Sequence, residues 1–218
     1  MLGNICKTLA RLRRLILIIA LLYIASIAAG MITRYTGGEV FVSFVEKFDQ
    51  SGLEQVEKIF GRFREPLREA NPKVIALCSL MVFAINTLGS VINFTLPGIL
   101  IVPIAGTLLF SGWMQGISLA GIQASSFLSL FLFLCMGCLE WATYIIAGAG
   151  GVNIGLSIVS PKRQGVASRW KAFKLAWRDA GRLYIIIAII LSVQAVFEIL
   201  YVRKVLLMGG SAIPLLPY

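Results

Sequence analysis

The 218-residue chain contains no histidine and few charged residues. Histidine is a common general base and metal ligand, so its absence excludes Ser–His catalysis and histidine-ligated metal sites. Charged residues make up 14% of the chain, whereas a soluble domain carries roughly 25%. Because 58% of the residues are hydrophobic, the few charges cannot cover a water-facing surface. The composition therefore predicts an integral membrane protein.

Acidic residues are scarcer still, with 10 Asp and Glu against 20 Lys and Arg. In a soluble protein, a net charge of +10 would suggest nucleic acid as a partner. Here the basic residues lie beside apolar runs, so we expect the bilayer and its anionic lipids as partners, and no nucleic acid.

Only four cysteines are present. Cys135 and Cys138 form a C-x-x-C pattern, but it lies within an apolar run, away from water and thiol partners. We therefore expect no catalytic, metal-binding or cofactor-binding residue, and no cofactor.

Five apolar segments are long enough to cross about 30 Å of hydrocarbon as helices. They predict an all-α, polytopic membrane helix bundle of about five transmembrane helices. An amphipathic helical insertion follows the first span, and a basic interfacial helix precedes the last. The fourth apolar run continues to Val159, so a straight helix over the whole run must tilt, emerge from the bilayer or break, and glycines 148–151 are where a break would cost least. The spans are approximately 15–33, 74–94, 99–121, 127–150 and 183–202.

The predicted organisation has three parts: an anchor helix 1–33, an outer insertion 34–73 and a main membrane domain 74–218. Small residues before Gly30 resemble a signal-peptidase site, but the apolar stretch continues beyond them, which favours an uncleaved anchor. Segments 1–14 and 160–182 carry four and seven basic residues against one acid. This asymmetry favours the cell membrane with a cytoplasmic N-terminus and an extracytoplasmic C-terminus.

Two segments outside the spans have amphipathic patterns. In 34–73, apolar residues such as Val40, Phe44 and Phe48, and then Leu53 and Phe60, repeat at helical spacing. This insertion is interpreted either as a solvated, self-packed hairpin or as a surface that lies on the outer leaflet, caps the bundle or binds a partner protein.

The segment 160–182 has Trp170, Phe173 and Trp177 on one helical face. Its basic residues are expected to contact the anionic lipid of the inner leaflet. These residues are Lys171, Lys174, Arg178 and Arg182.

Polar side chains within the spans are candidates for function, because a charged group at the bilayer centre costs at least about 2.5–3.5 kcal/mol. Glu140 has no basic residue within an apolar core to pair with, so we expect it to be protonated or hydrogen-bonded. It either fastens helices together or handles a proton or cation. Its companions are Asn86 and Asn93, on one helical face, and Gln115, Gln194 and Glu198.

Small residues four apart allow two helices to approach closely. Such strips predict that the third and fourth spans pack on each other or on a second copy, so self-association is expected. The glycine spacing does not match a dinucleotide-binding fingerprint. The helix-packing candidates are Gly112, Gly116, Gly137, Ala147, Gly151 and Gly155.

These polar and glycine positions together resemble the stage II sporulation protein M family of integral membrane proteins. The resemblance covers roughly 74–202 and rests on Asn86, Gly98, the strip 112–116, Gly137-x-x-Glu140-x-Ala142 running into 147–155, and Glu198. Met136 stands where the family often has histidine, and Ser111 where it often has asparagine, so roles tied to those residues are not carried over.

The resemblance implies a scaffold, because the member that names the family belongs to a complex with peptidoglycan-degrading enzymes and is not itself a hydrolase. We therefore predict a non-enzymatic, self-associating membrane scaffold that binds a membrane or cell-envelope protein. The alternative is an ion- or proton-coupled small-solute transporter, or a channel subunit, that uses Glu140.

Overall fold

The computed structural model describes residues 2–37, 61–120 and 127–207, together with the single residues Ser43 and Lys47. These ranges are almost wholly helical, which confirms the predicted all-α bundle. The helices are α1 (Leu2–Thr36), α2 (Arg64–Arg68), α3 (Pro72–Gly89), α4 (Leu96–Ile99), α5 (Val102–Ala120), α6 (Phe127–Val159) and α7 (Arg169–Leu207).

Among the residues that the structure describes, four helical stretches are long and apolar enough to cross a membrane. The third predicted span is the 19-residue helix α5, which is not among those four. It packs along α1 within the bundle, so the prediction of about five membrane helices holds only approximately. The four stretches are Gly3–Thr36, Pro72–Ile99, Leu134–Val159 and Arg169–Lys204.

Helix α6 is the central helix of the bundle. The most apolar window of its membrane stretch is 67% buried, against 28% for the stretches in α1 and in Pro72–Ile99. Of the three alternatives for the fourth apolar run, a break at glycines 148–151 is excluded, because α6 runs unbroken from Phe127 to Val159. Each interior glycine costs a helix about 1 kcal/mol, but close packing of neighbouring helices on this segment offsets that cost.

Helix α3 continues through a π-helical segment, Ser90–Thr95, into α4. Pro97 lies just beyond this segment and has no backbone N–H to continue an α-helical ladder. The wider π turn absorbs the mismatch and changes the direction of the side chains that follow it.

The basic segment is helical, but it is continuous with the last span and not a separate interfacial helix. After a 3₁₀ turn at Pro161–Gln164 and Gly165 with φ +72°, α7 runs for 39 residues. At 1.5 Å per residue its length is about 58 Å, so it extends well beyond the hydrocarbon layer.

Contacts at the helix ends group the segments by side of the bundle. Asp179 near the start of α7 pairs with Arg11 near the start of α1. At the opposite end, Nε of Arg203 donates to the carbonyl oxygen of Leu67, at 3.1 Å. These pairs join the segments predicted to share a side. The predicted apolar faces of 40–60 and the tail 208–218 lie outside the described residues.

Candidate functional site

The carboxyl group of Glu140 is enclosed by the bundle. The residue is 1% exposed, and the hydroxyl of Tyr144, one turn further along α6, donates to Oε1. Oε2 has no hydrogen-bond partner in the described part of the chain. Among the described residues, only one of the two carboxyl oxygens of Glu140 therefore has a hydrogen-bond partner.

Three aromatic rings surround this position. Phe94 of the π segment stacks on Tyr144 with 4.2 Å between ring centroids. The ring of Tyr23 from α1 meets both of them edge-on, at 6.4 and 6.5 Å. The hydroxyl of Tyr23 donates to Oε1 of Gln115 on α5, at 2.9 Å. This cluster therefore connects α1, α5, α6 and the π segment.

A separate chain of side-chain hydrogen bonds joins α3 to α7. Nδ2 of Asn86 donates to Oε1 of Gln194 at 3.0 Å, and Nε2 of Gln194 donates to Oε2 of Glu198 at 2.6 Å. All three residues are at least 97% buried. Asn86, Gln115, Glu140, Gln194 and Glu198 therefore all lie in the interior.

Asn93 is the exception among the polar candidates. It is exposed, whereas Asn86 is buried, so the prediction that both share one face is wrong. Seven residues bring two side chains into line only in a regular α-helix, and Asn93 lies in the π segment.

The small-residue strips lie at two helix crossings, but not at the predicted one. Gly112 and Gly116 of α5 face Ser26 and Ile27 of α1, and Gly116 lies against Gly30. The pairing of the third and fourth spans through these strips is therefore wrong.

The strip of α6 packs on the other side of the bundle. Gly151 lies against the carbonyl group of Thr95, and Gly155 against that of Ile99. Ala147 is 1% exposed, and its carbonyl oxygen accepts from Oγ1 of Thr95 at 3.2 Å. Gly137 is near only the indole of Trp141, within its own helix, among the described residues.

The basic residues of α7 divide between two environments. Lys171, Lys174 and Arg178 are exposed, as a lipid-facing surface requires. Nη1 of Arg182 instead donates to Oδ1 of Asp179 at 3.2 Å, so Arg182 does not belong to that surface.

Asp179 is a functional-site candidate that sequence reasoning missed. It is 1% exposed and is approached by Arg11, Arg182 and Oγ1 of Thr8, the last at 3.4 Å. The signal was its position as the one acid in the basic segment 160–182, three residues before Arg182.

Comparison with known proteins identifies one family. The family model described as "Stage II sporulation protein M" matches residues 14–201, which is most of the chain. No curated protein matches, and neither does any solved structure. The chain belongs to the stage II sporulation protein M family.

Proposed function

We propose that this member of the stage II sporulation protein M family is a non-enzymatic scaffold of the cell membrane, with its N-terminus in the cytoplasm and its C-terminus outside. The hydrogen-bonded chain Asn86–Gln194–Glu198 carries the proposal. The side-chain amide of Asn86 on α3 bonds to Gln194 on α7, and the amide of Gln194 bonds to Glu198 in its own helix. Hydrogen bonds of the first kind hold membrane helices together. The bond between Tyr23 and Gln115 extends the same fastening to α1 and α5. The lack of histidine supports a role without catalysis.

The outer segment 34–73 is the proposed surface for a membrane or cell-envelope protein. Its end is attached to the bundle, because Leu67 is 1% exposed and its carbonyl oxygen accepts from Arg203. This attachment at Leu67 fixes one end of the segment in which the sequence predicts apolar faces around Phe44 and Phe60. Self-association stays a prediction, and it needs a surface other than the strips that pack inside one protomer.

Site-specific cross-linking in cells tests the scaffold proposal. A photoreactive residue at Phe44 or Phe60 should give a discrete cross-linked protein partner that is recovered with the full chain. The same probe at Leu80, which is 62% exposed within α3, should give mainly lipid adducts and serves as the matched control. Identical protein adducts at Phe44 and Leu80, or none at Phe44 and Phe60, would contradict the proposal.

A second candidate function is proton or cation handling at Glu140. One observation favours it: Oε2 of Glu140 is buried without a hydrogen-bond partner among the described residues. A buried carboxyl oxygen costs free energy when it has no partner, so this position favours binding a proton or a cation.

Flux across proteoliposomes separates the two candidates. Proton or cation flux that is present in the wild type and lost in Glu140→Gln would support transport. The control Glu65→Gln makes the same change at an exposed position, where the side chain is 73% exposed, and should leave any flux unchanged. Wild-type vesicles without flux, together with a cross-linked partner, are the outcome expected of a scaffold.

A further inference from the structure

A shallow groove runs along the surface of α7. Its volume is about 430 Å³. The polar atoms at its walls are already engaged: the Tyr184 hydroxyl with Oγ1 of Thr95, and Oγ of Ser192 with the carbonyl oxygen of Ala188, both at 2.7 Å. The groove therefore presents an apolar surface. It is lined by Gly181, Tyr184, Ile185, Ala188, Ile189 and Ser192.

Gly181 keeps one end of this groove open. It lies inside a 39-residue helix, where a glycine costs about 1 kcal/mol relative to alanine. No described residue lies within 4 Å of the position that a Cβ would occupy. Packing within the described chain therefore does not account for a glycine here, and the open space at Gly181 leaves room for a molecule that lies along the helix surface.

Two basic side chains continue the line of the groove beyond Gly181. At 100° per residue, Lys174 lies about 20° and Arg178 about 60° from the direction of Gly181. Both are exposed, in contrast to Arg182, which is held by Asp179. Trp177 is 55% exposed and lies on the other side of the line, about 40° away.

The dimensions match one leaflet of a bilayer. From Gly181 to Ser192 the helix rises about 16 Å, and half of the hydrocarbon layer is about 15 Å thick. Lys174 and Arg178 then lie about 5–10 Å further out, at the depth of the headgroups. An interfacial tryptophan such as Trp177 is typical of this depth.

We infer that this groove and the basic pair Lys174 and Arg178 bind one anionic phospholipid. The two cations contact the headgroup phosphate, and an acyl chain lies along the groove from Gly181 to Ser192. A second copy docked side by side on this face would bring like charges of Lys174 and Arg178 together. The charge and the apolar groove are instead complementary to the two halves of an anionic lipid.

Lipid titration of the full chain in neutral detergent micelles tests this inference. Bound lipids are counted by native mass spectrometry, with phosphatidylglycerol as the probe and phosphatidylcholine for comparison. We expect the wild type to bind one phosphatidylglycerol preferentially. Lys174→Ala/Arg178→Ala should weaken that binding at least about fivefold, because a basic residue near an anionic surface contributes about 1 kcal/mol.

Matched variants distinguish lipid binding at this site from a general effect of charge and from a loss of folding. Lys162→Ala/Arg163→Ala removes the same charge from exposed positions and should leave the affinity within about twofold. Gly181→Leu should fill the groove and weaken binding, whereas Gly106→Leu, also at a position with open space, should not. Helical circular dichroism and elution volume verify that each variant is folded.

Three results would overturn the inference. The first is equal wild-type affinity for the two lipids, and the second is an equal loss in the two double variants. The third is a Gly181→Leu variant whose lipid affinity is unchanged. A change of oligomeric state in Gly181→Leu without a change in lipid affinity would assign this face to a second copy.

Discussion

The crossing of α1 and α5 should not tolerate a single added methyl group at Gly116. An ideal Cβ there would overlap the carbonyl oxygen of Ile27 and lie 3.0 Å from Cα of Gly30. Optimal carbon–carbon separations are about 3.5–4.0 Å, so Gly116→Ala must move the two helix backbones apart. Such overpacking typically costs about 1–3 kcal/mol.

Gly106→Ala is the matched control, because it makes the same change in the same helix where no described residue lies within 4 Å of an added Cβ. It should change stability by between zero and about +1 kcal/mol, through helix propensity alone. The two variants should therefore differ by about 1–4 kcal/mol in the free energy of unfolding. Reversible unfolding in mixed micelles with increasing sodium dodecyl sulfate measures that difference.

The result that refutes the reasoning is a Gly116→Ala protein as stable as Gly106→Ala. It would mean that α1 and α5 do not cross at Gly116, or that the crossing moves apart without loss of packing. A lower stability with unchanged helical content is expected, because the variant perturbs the packing of helices and not the helices themselves.

Other expected outcomes concern the hydrogen bonds of the interior and the ion pairs at the end of the bundle. Gln194→Leu should lower the free energy of unfolding in micelles by about 1–3 kcal/mol, because it leaves buried amide and carboxyl partners unsatisfied. Asn93→Leu, at an exposed position, should change it by less than about 0.5 kcal/mol, and an equal loss in both variants would contradict the assigned orientation. Asp179→Asn should free the start of α1, seen as faster amide hydrogen exchange in residues 2–14, because two arginines lose their shared acid. Unchanged exchange would show that these ion pairs do not hold α1 in place.

Local periodicity could predict part of the buried hydrogen-bonded chain of Asn86, Gln194 and Glu198. Gln194 and Glu198 are four apart, so a helix brings them into contact, and the structure has them hydrogen-bonded at 2.6 Å. A polar residue in an apolar run also predicts burial, which holds for Asn86 at 3% exposure. Asn86 and Gln194 are 108 residues apart in sequence, and no local pattern indicates that their side chains are hydrogen-bonded to each other.

One prediction failed because a helix is less regular than the sequence suggests, and one open alternative was excluded because another helix is more regular. The π segment before Pro97 turned Asn93 outward, although regular α-helical spacing placed it beside Asn86. Conversely, the glycines of 148–151 did not break α6, because close packing on the segment offsets their low helix propensity.

Small-residue strips specify how closely helices approach, but not which helix approaches. The strip of α5 fits the backbone of α1 at Ile27 and Gly30, and the strip of α6 fits that of Thr95 and Ile99. Either strip is compatible with any helix that has small residues at the crossing, so spacing alone left the partners open.

The basic residues of α7 likewise do not indicate, from sequence alone, which neighbouring helix they contact. A helical wheel puts Arg178 and Arg182 about 40° apart, which suggests one lipid-facing surface. Helix α1 crosses beside that surface and brings Thr8 and Arg11 to Asp179, so Arg182 is drawn to the buried acid while Arg178 stays exposed. Whether a basic residue on this turn of α7 contacts lipid or forms an internal ion pair depends on which neighbouring helix covers the turn. That neighbour is 168 residues away in sequence from the acid that it contacts.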